Sequence, residues 1–176
     1  QIEEITKIAN QFNLLVIEDA AEALGSWHNG HHAGTIGTAG ILSFNGNKII
    51  TAGNGGAILT NDPAVAFRAK HLSTTAKIPH SWEYRHDEIG YNYRMSNVNA
   101  AIGCAQLAKL DSFIDLKRRL YHFYGDIFSD LSQLGIMREP EGCRSNYWLQ
   151  TLLLKGVTSK SRDEILAECH ARGLGV

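Results

Sequence analysis

The 176-residue chain is poor in cysteine, and Cys104, Cys143 and Cys169 are odd in number, widely spaced and free of any C-x-x-C pair. That argues against a disulfide framework or a zinc site and points to reduced thiols in a cytoplasmic setting. Charge of one sign is also missing. Lys and Arg number 17 against 18 Asp and Glu, a net charge of -1, which leaves no electrostatic footprint for nucleic acid or an anionic membrane. No apolar run approaches the roughly 20 residues that span a bilayer. There are no internal repeats and no low-complexity tracts. What remains, 44% hydrophobic and 20% charged residues, is an ordinary soluble globular composition, long enough for a real core. An initiator methionine is absent too. Gln1-Ile2-Glu3-Glu4 is already in helical pattern, and Gly173-Leu174-Gly175-Val176 stops where another strand is expected. The sequence therefore reads as a piece of something longer, and the missing signal peptide says little about localisation.

The strongest concentration of signals is Leu42-Ser43-Phe44-Asn45-Gly46-Asn47-Lys48, followed by Ile49-Ile50-Thr51-Ala52-Gly53-Asn54-Gly55-Gly56. An apolar strand over Ile41–Phe44 runs into a polar turn that presents one lysine, and a glycine-rich bend leads to a second strand over Ala57–Thr60. Such a lysine is either a solvated loop residue, as most are, or a poorly solvated amine held ready to form a Schiff base with a carbonyl compound.

Ile2, Ile5, Ile8, Ala9 and Phe12 predict an amphipathic helix over residues 2–12. Leu14-Leu15-Val16-Ile17 predicts a strand buried on both faces of a parallel sheet. It ends in Glu18-Asp19-Ala20-Ala21-Glu22, placing acidic residues at the carboxyl edge where open α/β sheets bind ligands. Asp19 is equally readable as a cap for the small-residue turn that follows.

Residues 25–40, punctuated by five glycines, read as loop. His28, His31 and His32 lie in it without a carboxylate or cysteine at ligand spacing, and so read as polar loop histidines rather than metal ligands. Asn61-Asp62-Pro63 starts a helix that runs through His71. Residues 72–90 read as an exposed arm, and Ser96 as the cap of a long helical stretch with a break near Asp111. Lys117-Arg118-Arg119 reads as a solvated helix face. Asn146–Leu154 reads as a strand, and Ser161-Arg162-Asp163-Glu164 as a capping box. The change of character over residues 135–146 places a domain boundary there, giving residues 1–135 and 136–176.

Four of these stretches, taken in order, carry a resemblance: Glu18-Asp19-Ala20-Ala21, Ser43-Phe44 with Lys48 five residues after the serine, Gly53-Asn54-Gly55-Gly56, and Gly90-Tyr91-Asn92-Tyr93-Arg94-Met95-Ser96. Together they resemble the sugar aminotransferases of the DegT/DnrJ/EryC1/StrS family, pyridoxal-phosphate enzymes of the aspartate aminotransferase fold. The resemblance implies an α/β fold: the second part of a three-layer α/β/α large domain (fold type I) with a mixed, mostly parallel sheet, then the beginning of a small α+β domain. It implies pyridoxal 5'-phosphate as cofactor, with pyridoxamine phosphate in the half-reaction. Lys48 would form the Schiff base and move the proton, Asp19 would pair with the pyridinium nitrogen, and Ser43 would donate to the cofactor phosphate. Asn92 would reach the phosphate of the neighbouring subunit's cofactor, which implies a homodimer with shared sites. The glycines at 53–56 would let backbone pass close to the cofactor.

The pattern is departed from twice. Many members carry Gln, contacting the cofactor ring oxygen, where this chain has Glu22; a carboxylate beside the cofactor phenolate would be repelled unless protonated or turned away. Asn97 stands where Glu is frequent. Lys48 itself disfavours the dehydratase branch, in which histidine replaces the lysine. The expected activity is transfer of an amino group from glutamate, leaving 2-oxoglutarate, to a nucleotide-linked 4-keto-6-deoxy sugar, giving an amino sugar for surface polysaccharide. The rivals are a dehydratase of the same family, a non-catalytic α/β binding module, and a degenerate subunit that lends Asn92 to an active partner. The family's N-terminal part, which supplies further phosphate ligands and the group stacked on the ring, is outside these residues.

Overall fold

The computed structural model describes residues 1–175. In chain order the elements are α1 (Ile2–Gln11), β1 (Ile17–Asp19), β2 (Trp27–His28), β3 (His31–His32), β4 (Ala39–Ser43), β5 (Gly56–Leu59), α2 (Pro63–Ser73), β6 (Lys77–Ile78), β7 (Arg85–His86), α3 (Asn97–Leu107), α4 (Leu110–Ile127), β8 (Leu134–Ile136), β9 (Cys143–Arg144), β10 (Leu152–Leu154) and α5 (Ser159–Ala171). The chain is α/β with a mixed central sheet in the order β1-β4-β5. Strands β1 and β4 run parallel with Asp19 opposite Ile41, while β4 and β5 are antiparallel with Ser43 opposite Gly56.

The apolar run 14–17 departs from expectation. Only Ile17 lies in a strand, and Leu14, Leu15 and Ile17 are 60%, 77% and 69% exposed. The physical reason is pairing: β4 supplies a ladder only from Ala39 onward, and among the described residues the other edge of β1 has no partner. The inward-facing residue of β1 is instead Glu18, whose carboxylate accepts from the backbone N–H groups of Gly34, Ile36 and Gly37 at 2.8, 2.6 and 2.5 Å. It satisfies the donors of a turn that has no ladder of its own.

Residues 25–40 are not all loop. Strands β2 and β3 form a hairpin, and β2 also pairs with β9 from more than a hundred residues later. The helix starts follow the sequence at Asp62, whose side chain caps Ala64 and Val65, and at Ser96, which caps Asn99. The break in the long helical stretch falls at Ala108 and Lys109, close to Asp111. The last helix is capped by Thr158, which accepts from Ser161 N, so the cap lies three residues before the expected box. The expected exposed arm begins only after Ala76, which is fully buried; residues 77–94 are mostly exposed and carry the small hairpin β6–β7.

Two further readings are corrected. Arg118 is not solvated: its guanidinium grips Glu139 through two bonds of 2.9 and 2.7 Å and also donates to Ser145 O. Helix α4 turns this one residue inward while its neighbour Arg119 stays exposed. The segment from Asn146 is not strand at its start. Asn146, Tyr147 and Trp148 are buried and irregular, and only Leu152–Leu154 pairs, antiparallel to β8. Tyr147 adopts φ 45°, and a left-handed backbone there is incompatible with a strand. Its ring stacks on Tyr121 of α4 with centroids 4.1 Å apart.

Candidate active site

Strands β1 and β4 are parallel neighbours, so their carboxyl ends open on the same sheet edge. Asp19 is the last residue of β1 and Ser43 the last of β4. After Ser43 the chain turns through Asn45, whose carbonyl accepts from Lys48 N at 3.1 Å. The turn is pinned on its far side: Ala52 N donates to Phe44 O and Phe44 N to Gly55 O. The glycines that follow are needed by the chain itself. A Cβ on Gly56 would strike the Leu42 carbonyl across the ladder, and Gly55, at φ 99°, would meet Met95.

The Lys48 side chain is 14% exposed. Its Nζ lies 3.3 Å from Glu22 Oε1 and 4.5 Å from the centroid of the Trp148 ring. Glu22, three residues beyond Asp19, thus supplies the counter-charge, with its own side chain largely in solvent. Neither the pairing nor the ring was predicted. A cation over an indole face is attracted by the ring quadrupole, and here the ring is fixed. Trp148 Nε1 donates to Asn47 O at 2.6 Å, one residue before the lysine.

Asn146 completes the clamp. Its Nδ2 donates to the carbonyls of Glu22 and Leu24 at 2.9 and 3.0 Å, its backbone N to Ser26 Oγ, and its Oδ1 accepts from Trp148 N at 2.9 Å. The segment 146–148 therefore ties the acidic turn after β1 to the lysine turn after β4. The sequence held one signal for it, an Asn-Tyr-Trp run beside a glycine- and proline-bearing break, which the strand reading absorbed.

The remaining expected residues are placed less centrally. Asp19 Oδ1 accepts from Ala21 N at 3.1 Å, so the capping reading describes its local contact. Ser43 Oγ accepts from Asn45 N at 3.4 Å. Asn92 lies on the arm, bridged to Thr74, with its amide oxygen accepting from Arg94 Nε. Among the described residues no hydrogen bond joins it to Asp19, Ser43 or Lys48. His32 is a structural residue: its Nε2 accepts from Gly25 N and its Nδ1 donates to Ala33 O. His71, Asp87 and Glu88 gather in the arm, but Arg68 already grips the Glu88 carboxylate with both guanidinium nitrogens. A cleft lined by Gly34, Thr35, Gly37 and residues 58–61 is separate from Lys48 and has no titratable side chain in its wall.

A carboxylate thus ends one strand and a hydroxyl its parallel neighbour, and a half-buried lysine amine follows on the turn five residues after that hydroxyl. Among the described residues no helix is long and apolar enough to cross a membrane.

The chain belongs to the DegT/DnrJ/EryC1/StrS aminotransferase family, whose profile matches residues 1–176. It is 41% identical over 164 residues to the GDP-perosamine synthase of Escherichia coli O157:H7, an alignment that covers 93% of this chain and 44% of the relative. Its fold superimposes with a TM-score of 0.92 on Helicobacter pylori PseC, an aminotransferase involved in the biosynthesis of pseudoaminic acid. That likeness is at 25% identity and covers 98% of this chain and 47% of the other. An E. coli GDP-4-keto-6-deoxy-D-mannose-3-dehydratase with bound hydrated PLP is also similar, with a TM-score of 0.86 at 25% identity, over 99% of this chain and 48% of that one. The chain spans less than half the length of these relatives.

Proposed function

We propose that the protein to which this chain belongs is a pyridoxal-phosphate-dependent aminotransferase that moves an amino group from glutamate to a nucleotide-linked 4-keto-6-deoxy sugar. The observation that carries this reading is Lys48: a largely buried amine on the turn that follows β4, held against Glu22 and the Trp148 ring, with Asp19 and Ser43 ending the two parallel strands. The donor set fits the cofactor, whose ring supplies an electron sink for the carbon losing its proton.

Lys48 would be the nucleophile that holds the cofactor, and its amine would serve as base and acid at the substrate carbon. The Trp148 face and Glu22 give the free ammonium a place to rest between those roles. Asp19, a carboxylate, would hold a proton on the cofactor's ring nitrogen, and the Ser43 hydroxyl would donate to its phosphate. Asn92, far along an exposed arm, is assigned to the phosphate site of a second subunit, which makes the functional unit a homodimer. Residues 1–135 belong to the large cofactor domain and 136–176 open the smaller one, with 146–148 reaching back across the boundary. The lone thiols support a cytoplasmic setting. Lys48 favours amino transfer over dehydration, because the dehydratase branch of the family replaces that lysine.

The test is borohydride reduction of the full-length protein after addition of pyridoxal phosphate, followed by peptide mass mapping. The expected result is a phosphopyridoxyl group on Lys48 that is absent in Lys48→Ala. Label scattered over surface lysines, with no visible absorbance band before reduction, would overturn the assignment. Nitrogen transfer from labelled glutamate to the keto-sugar then separates amino transfer from dehydration.

A further inference from the structure

Away from Lys48, three elements bring a thiol, an imidazole and a carboxylate into line. Cys143 on β9 is the register partner of His28 on β2, so both side chains leave the same face of that small sheet. His28 Nδ1 lies 3.1 Å from Cys143 Sγ. On the opposite side of the ring, His28 Nε2 lies 2.7 Å from Oε1 and 2.9 Å from Oε2 of Glu3, in the first turn of α1. Asn29 Nδ2 donates to Glu3 Oε1 at 2.9 Å.

The order of these groups defines their roles. An ionised carboxylate only accepts, so Nε2 carries the ring proton and Nδ1 is left as the acceptor facing the thiol. The Asn29 amide above all, then backbone N–H and His28, hold the Glu3 carboxyl down to about 2. The array is a nucleophile, a base and a group that orients the base. It is not a metal site, because the two ring nitrogens face apart and the sulfur and carboxylate cannot converge on one ion.

The array is also held in place. Asn29, at φ 47°, donates its backbone N–H to Gly142 O at 2.8 Å, next to the cysteine. Gly142 itself is at φ 73°, and a Cβ there would strike Asn29 Oδ1.

We propose that Cys143 is a base-assisted reactive thiol that exchanges with small disulfides, with His28 as the base and Glu3 as its positioning residue. Disulfide exchange needs only a proton acceptor and donor. Cys143 Sγ attacks one sulfur of RS–SR, the S–S bond breaks, and a new Cys143–SR bond forms. The thiol proton passes to His28 Nδ1 and from there to the departing RS⁻, which leaves as RSH. Cys143 is oxidised to the mixed disulfide and one R–S group is reduced, so the step balances with the disulfide alone.

The experiment exposes the reduced full-length protein to 2-hydroxyethyl disulfide at neutral pH and follows each cysteine by peptide mass mapping. Cys104, which is exposed, and Cys169 are internal references. Cys143 is expected to react about a hundredfold faster than Cys104, the low end of what a positioned base contributes. His28→Gln should bring Cys143 down to the Cys104 rate or below, and Glu3→Gln should give an intermediate slowing. If His28→Gln disturbs the fold, the Cys104 and Cys169 rates will move with it, and Glu3→Gln, on an exposed side chain, then decides. Equal rates for Cys143 and Cys104 in the native protein, or a Cys143 rate unaffected by both substitutions, would overturn the proposal.

Discussion

The two edges of the central sheet contrast sharply. On the carboxyl edge, the turns after β1 and β4 are joined through hydrogen bonds by a segment more than a hundred residues downstream. Asn146 alone accounts for four of those bonds. Along the lateral edge of β1, Leu14, Leu15 and Ile17 are left in solvent despite their character. An apolar pattern states what a segment can bury, while its partners decide what it does bury. Among the described residues the lysine turn finds its partners, and the outer edge of β1 does not.

Breaking the clamp has the largest expected effect. Asn146→Ala strands the carbonyls of Glu22 and Leu24 and the N–H of Trp148 in a buried site, and should cost about 2–4 kcal/mol in the urea midpoint of the full-length protein. Next comes the inward-facing carboxylate of β1. Glu18→Gln turns an all-acceptor group into one that presents N–H toward the N–H groups of Gly34, Ile36 or Gly37. A loss of about 1–3 kcal/mol is expected in thermal melts.

A third measurement sharpens the contrast by pH. The Arg118 guanidinium first, with help from Ser145 N–H, holds the Glu139 carboxyl below its ordinary 4.5. A carboxylate favoured in the folded state stabilises fully above that value, and its contribution is lost as pH falls below it. Stability should therefore decline as pH falls through and below that ordinary value, and Glu139→Gln should flatten that part of the curve. The smallest effect is expected where an ion pair joins nothing else. Lys160 and Glu164, 3.9 Å apart on the exposed face of α5, should tolerate Lys160→Ala within about 0.5 kcal/mol. A large loss there would mean that pair counting, rather than burial and connection, governs this fold.

Much of the fold was legible before the structure. The helix starts at Asp62 and Ser96 followed from capping chemistry, and the lysine turn between two strands followed from apolar runs bounded by glycine. These are local interactions, a few residues apart. What escaped was non-local. Nothing near Arg118 announces Glu139, nothing near His28 announces Cys143, and the Asn-Tyr-Trp run gives no hint that it closes over Glu22 and Lys48. The strand reading of residues 14–17 failed for the same reason, since periodicity is blind to whether a neighbouring strand exists. The candidate site was found from residue order and family resemblance. Its counter-charge and its aromatic wall came only from geometry.

Of the three tryptophans, Trp82 and Trp27 are 78% and 43% exposed, whereas Trp148 is buried against the lysine turn. Of these three, Trp148 is the one whose emission is blue-shifted by burial, and a neighbouring ammonium perturbs an indole's excited state. Whatever captures the Lys48 nitrogen takes that cation away from the ring. The protein thus carries its own optical gauge of whether its lysine is free, and a fluorescence titration can count occupied sites without a label.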